Sequence, residues 1–180
     1  MATESKVDDK EFKGILEKML DDFQQGPIGA KAGYYSADKG EIIDPDEKNP
    51  PDIADIAKWQ EFGTYNIPPR PFIRNAQDKA NKRCENAVKA LMDDGTDMET
   101  ICKMLANMLV EEIKRSIRNG NWTANAPITI DGGWMHNKKS GKLFYVKGKK
   151  STKPLIDTGN LIQSVHCAVV KRNGSEIIQE

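Results

Sequence analysis

Residues 61–74 read EFGTYNIPPRPFIR, and the prolines at Pro68, Pro69 and Pro71 restrict the backbone there more than anywhere else in the chain. Each proline holds its own φ at about −65° and pushes the preceding residue out of the helical region, so residues 67–70 are expected to be extended or polyproline-like. Pro71 suits the first turn of a following helix, where its missing N–H would have had no partner. Upstream, Ile53, Ile56, Ala57 and Gln60 are spaced along a short helix over 52–62, which Gly63 is suited to close in a left-handed conformation. Downstream, Ile73, Ala76, Gln77, Ala80, Cys84, Ala87, Val88 and Leu91 recur at helical spacing, with small residues that permit close approach of another helix. The stretch is a preset corner between two helices. Residues 68–72 either hold Phe72 and the arginines ready for a neighbouring molecule, since a rigid segment loses little entropy on docking, or fix the angle of the two helices, or else Glu61 and Arg70 pair to lock the corner within one subunit.

The remaining elements follow from periodicity and turn residues. Phe12, Ile15, Leu16, Met19, Leu20 and Phe23 form one face of a helix over 8–24 that Asp8 or Asp9 caps. Residues 28–36 alternate as a strand, and 37–52 form an acidic, proline-bearing loop. Thr96 and Glu99 make a T-x-x-E capping box for a helix from Met98 to Arg118, roughly 31 Å long. Its stripe of Met98, Ile101, Cys102, Leu105, Met108, Leu109, Ile113 and Ile117 is read as core packing. Beyond Gly120 an apolar run, a polar turn over 138–141 and the residues from Leu143 to Val146 suggest a hairpin. Asp157 is positioned to accept from the amides of Gly159 and Asn160, capping a turn that precedes a strand over 165–170. These elements imply an α+β fold: a small antiparallel sheet packed against two or three long helices, with extended loop or hairpin arms. Residues 1–180 form one domain, with 132–153 as a flexible basic hairpin or loop insertion.

Composition narrows the function classes. Hydrophobic residues make up 38% and mean hydropathy is −0.64, so the core is thin for the surface it must cover. No apolar run approaches the length of a membrane span, and the N-terminal residues lack a signal-peptide layout, so the protein is expected to be intracellular where it is made. Cys84, Cys102 and Cys167 form no C-x-x-C pair and read as buried thiols, while His136 and His166 have no carboxylates at metal-ligand spacing. No phosphate loop, G-x-S-x-G or H-E-x-x-H is present. The triplet Asp157, Thr158, Gly159 also occurs in aspartic proteases, but that chemistry needs a second such loop or a symmetric dimer. Neither an enzyme nor a cofactor is expected.

Charge is balanced overall but not along the chain. Residues 1–62 carry 8 Lys or Arg and 15 Asp or Glu, a net −7; residues 63–113 carry 7 and 8, a net −1; residues 114–180 carry 12 and 4, a net +8. Lys138, Lys139, Lys142, Lys147, Lys149, Lys150 and Lys153 crowd a stretch without an acid, beside Trp134, Phe144 and Tyr145. Such a segment is either a mobile solvated loop, a contact for an acidic protein surface, or a grip on nucleic-acid backbone.

Two blocks carry a resemblance. The first matches at Glu61, Phe62, Gly63, Thr64, Ile67, Pro68, Arg70, Pro71, Phe72 and Arg74, and the second at Pro154, Leu155, Asp157, Thr158, Gly159, Leu161 and Ser164. In this order they are similar to the tail-completion or neck proteins of long-tailed bacteriophages. The resemblance covers roughly residues 50–165. It implies a non-enzymatic virion protein made in the host cytoplasm, forming a homo-oligomeric ring, expected to be hexameric, at the head-proximal end of the tail. Implied partners are adjoining tail-terminator, tail-tube and head-closure proteins, with non-specific contact to DNA in the lumen and no membrane. The alternative is a nucleic-acid-binding accessory protein that uses the lysine-rich stretch 138–153.

Overall fold

The computed structural model describes residues 26–35, 51–137 and 140–179, together with residues 13, 14, 17 and 21, which are helical and exposed. Most of the helix expected over 8–24, most of the loop expected over 37–52, and Lys138 and Lys139 lie outside the described residues. Among the described residues the helices are α1 (Ile53–Phe62), α2 (Phe72–Asp93), α3 (Met98–Asn119), α4 (Pro127–Asp131) and α5 (Asn160–Gln163). The strands are β1 (Pro27–Gly33), β2 (Gly132–His136), β3 (Leu143–Lys147), β4 (His166–Lys171) and β5 (Glu176–Gln179).

The fold is α+β. β4 is the centre of a three-stranded antiparallel sheet ordered β1-β4-β5, while β2 and β3 form a separate antiparallel hairpin. α3 packs against β1 and β4, and α2 packs against α3. α3 can serve both neighbours because Ile101 and Cys102, then Ala106, Val110, Ile113 and Ile117 at steps of three or four residues, are buried. α2 answers with small residues, Ala76 and Ala80, which bring the two helices close. α1, α5, β4 and the residue before β4 add Ile53, Ala57, Leu161, Cys167 and Val165 to the same core. Among the described residues no helix is long and apolar enough to cross a membrane.

Several local expectations need correction. The methionine stripe of α3 is only partly core, since Met98 is exposed while Ala106 and Val110 carry the packing. The helix is capped by Asp97 rather than Thr96: its carboxylate accepts from the Thr100 amide at 3.0 Å and the Thr100 hydroxyl at 2.7 Å. Pro71 sits at the N-cap of α2, one residue before the first turn. A fifth strand, β5, follows the turn around Gly174; its pairing with β4 was not legible because Ile177 and Ile178 remain exposed and supply no alternation. α2 and α3 are further clamped by buried Glu112, which accepts from Arg83 of α2 and, at 3.1 Å, from Arg115 one turn along α3.

Candidate functional site

The proline corner is closed by its own charged residues, which are not arranged as expected. Glu61 and Arg70 are both buried, but they do not pair with each other. Because Pro71 has no side-chain acceptor to offer, the first amides of α2 need one from elsewhere. Glu61, in the last turn of α1, supplies it: its carboxylate accepts from the Ile73 amide at 2.8 Å and the Arg74 amide at 3.2 Å. A negative charge at a helix N-terminus is also favoured by the backbone dipole. Arg74 donates its Nε to the same carboxylate at 3.1 Å and lays its guanidinium 5.5 Å from the Phe62 ring centroid. One acid thus ends α1 and starts α2.

Arg70 does a different job. Its amide donates to the Gln60 carbonyl at 2.6 Å, and its guanidinium donates to the Gln60 side chain at 2.5 Å, the Thr123 carbonyl at 2.8 Å and the Ala124 carbonyl at 3.1 Å. Burial lowers its pKa, but these three acceptors, with Asn125 Oδ1 as a fourth, keep the charge hydrogen-bonded. Gly63 closes α1 with φ 77° and ψ 169°, a positive-φ conformation outside the left-handed helical region expected. A Cβ on it would lie 2.9 Å from the Ile67 carbonyl oxygen and 3.0 Å from Pro69, so the tight corner admits only glycine there. Phe72 is fully buried, edge-on to Tyr34 at 6.2 Å. Phe72 and Arg70 are therefore not held out for a neighbour; the corner fixes the angle between two helices. What it leaves outside is Phe62, 66% exposed, and Tyr65, 99% exposed.

The second block meets the first. Arg70 Nη2 approaches Asn125 Oδ1 at 3.4 Å, and Asn125 Nδ2 donates to the Lys153 carbonyl at 3.2 Å, just before the Pro154–Leu155 turn. Tyr34 donates its hydroxyl to the Leu161 carbonyl at 2.9 Å, tying the end of β1 to α5. Burial, and then the Glu61 charge, push the Tyr34 phenol well above its ordinary value. Asp157 does not cap α5. It is exposed, and the Asn160 amide instead approaches the Thr158 hydroxyl at 3.5 Å, while Gly159 takes φ 91° at the N-cap.

Between the two blocks lies an open groove of about 340 Å³. Ile56, Trp59 and Ile67 line it together with Leu155, Asp157 and Leu161. Lys149 lines it too, which corrects the expectation of a solvated lysine: its ammonium donates to the Lys153 carbonyl and, at 2.7 Å, to the Ile156 carbonyl. Burial lowers its pKa, against the opposing pull of Asp157. Lys142, Lys147, Lys150 and Lys153 remain exposed. The wall is mostly apolar, and its one lysine is already engaged with backbone.

No protein-family model, curated protein or solved structure matches this chain. Among the described residues no group of three or more His, Cys, Asp or Glu side chains is placed to hold a metal ion. Cys84, Cys102 and Cys167 form no disulfide, Cys84 is only partly buried where all three were expected inside, and burial raises the pKa of each. Sequence reasoning missed three structural groups: Gln60, Asn125 and Glu112. Their only signal is a polar side chain at a position where the helical pattern calls for burial, and Asn125, in a loop, lacks even that.

Proposed function

We propose that this protein is a structural virion subunit that forms a ring at the head-proximal end of a bacteriophage tail, completing the tail and joining it to the head. One observation carries the reading. The two sequence blocks that resemble the tail-completion or neck proteins, about eighty residues apart, are braced against one another through Arg70, Asn125 and the residues before the Pro154–Leu155 turn. A brace of this kind makes a stiff unit, and stiffness limits the entropy lost when a subunit is immobilised in an assembly. The exposed Phe62 and Tyr65 on that unit supply aromatic area of the sort that anchors protein interfaces. The test is joining of heads to tails by a phage in which this gene is inactivated and then complemented. The parent gene should restore joined particles with a ring at the tail's head-proximal end by electron microscopy. Phe62→Ala with Tyr65→Ala should fold normally and fail to restore them. Full joining without the gene overturns the reading.

A second reading rests on the exposed Trp134 and Tyr145 beside hairpin lysines, an arrangement suited to stacking bases along a phosphate backbone. Salt-sensitive binding of oligonucleotides by a monomer would support it.

A further inference from the structure

The hairpin has two unlike faces. Cross-strand partners share a face, so Trp134 with Tyr145, His136 with Leu143 and Gly132 with Lys147 form one, and Met135 with Phe144 and Gly133 with Val146 form the other. The second face packs inward toward α4 at one end, where Phe144 and Val146 are half-buried and a Cβ on Gly133 would touch Ile128 of α4 at 3.4 Å, while Met135 is 42% exposed. The first is uncovered, with Trp134 68%, Leu143 58% and Tyr145 55% exposed. Trp134 and Tyr145 stand edge-to-face at 5.5 Å, which stiffens the surface. Exposed Lys142 and Lys147 flank it, and residues 132–150 contain no acid.

The turn between α2 and α3 is the chemical counterpart. Residues 92–99 contain Asp93, Asp94, Asp97 and Glu99 and no basic residue, and Lys103, one turn along α3, pairs with Glu99. Met92 and Met98, on either side of the turn, are 59% and 36% exposed. Methionine sulfur packs favourably on aromatic rings, and the carboxylates match the lysines. The chain reaches the hairpin from the C-terminal end of α3, whereas this turn lies at its N-terminal end, roughly 33 Å away along a helix of 22 residues. Among the described residues, both surfaces are exposed.

We infer that the Trp134–Tyr145 face of one copy docks on the acidic, methionine-bearing α2–α3 turn of the next. Two different patches then meet head to tail, and such contacts close into a ring or extend as a filament. The inference rests on the reading of the protein as a self-assembling subunit and names the surfaces it uses.

Sedimentation velocity on the purified full chain at low salt tests it, with circular dichroism as the check on folding. Lys142→Glu with Lys147→Glu should weaken self-association by roughly tenfold or more, and Asp93→Lys with Asp94→Lys should do the same. Mixing the two charge-reversed proteins should restore association, because each then offers the other a complementary partner. Trp134→Ser should weaken it without any change of charge. Self-association that persists in both charge-reversed proteins overturns the pairing while leaving the ring reading intact, since that reading falls only if particles join without the gene. A parent that stays monomeric at low salt overturns the pairing as well. So does a hairpin reversal that abolishes single-stranded DNA binding and leaves self-association unchanged.

Discussion

Glu61 carries the largest responsibility of any single side chain in the corner, because the α2 amides it accepts have no other acceptor in the proline-bearing stretch before them. Hydrogen bonds to a charged group contribute about 1.5–3 kcal/mol each, so Glu61→Ala should destabilise the protein by roughly 2–4 kcal/mol in urea denaturation. Glu61→Gln should recover part of that, since an amide oxygen still accepts but lacks the charge that the helix terminus favours. Tyr34 makes the pH-dependent counterpart. Its phenol is raised in the folded state, so its contribution is complete below the ordinary tyrosine value of 10.0 and is lost as pH climbs beyond it, where the unfolded chain releases the proton first. Tyr34→Phe should cost about 1 kcal/mol at neutral pH and flatten the alkaline fall in stability; a parent and variant with parallel alkaline limbs would contradict this. The corner's stiffness was readable from three prolines and a glycine, because those residues act on the backbone locally. The partners of Glu61 and Arg70 were not, since they depend on which loop lies opposite, and Thr123 to Asn125 carry no local signal of their place.

At the scale of elements, long helices were the most legible because their pattern repeats over many turns; α3 begins at the expected Met98 and ends within one residue of the expected end. Caps were less so, as Thr96 and Asp97 are adjacent residues that can both cap a helix, and the T-x-x-E spacing points to Thr96 while the backbone path selects Asp97. The hairpin was visible in outline, but its attachment was not. Lys149 and Lys150 donate their amides to the Thr129 and Ile130 carbonyls of α4 at 3.0 and 2.9 Å, and Gly148 lies so close that a Cβ would sit 2.4 Å from the Ile130 carbonyl oxygen. Gly148→Ala should therefore detach the hairpin from α4 while leaving α2 and α3 folded. Amide hydrogen exchange should speed at Lys149 and Lys150 and stay slow in α3; protection unchanged at both lysines would count against that close packing.

For the whole molecule, the −7 and +8 ends of the sequence make charge a long-range guide. Physiological salt screens exposed charges over about 8 Å, so attraction between copies should act chiefly on encounter. Raising salt should slow joining more than it dissolves joined particles, as followed by light scattering; equal effects on both rates would argue against electrostatic guidance. The placement of the tryptophans gives this behaviour an optical readout. Trp59 lines the groove, half-buried Trp122 donates its indole N–H to the Ser116 carbonyl at 3.2 Å, and Trp134 stands in water on the hairpin. Chains that keep one tryptophan each would report separately on groove, helix end and hairpin: a blue shift and loss of iodide quenching confined to Trp134 would record docking as it happens, with Trp122 silent as an internal reference.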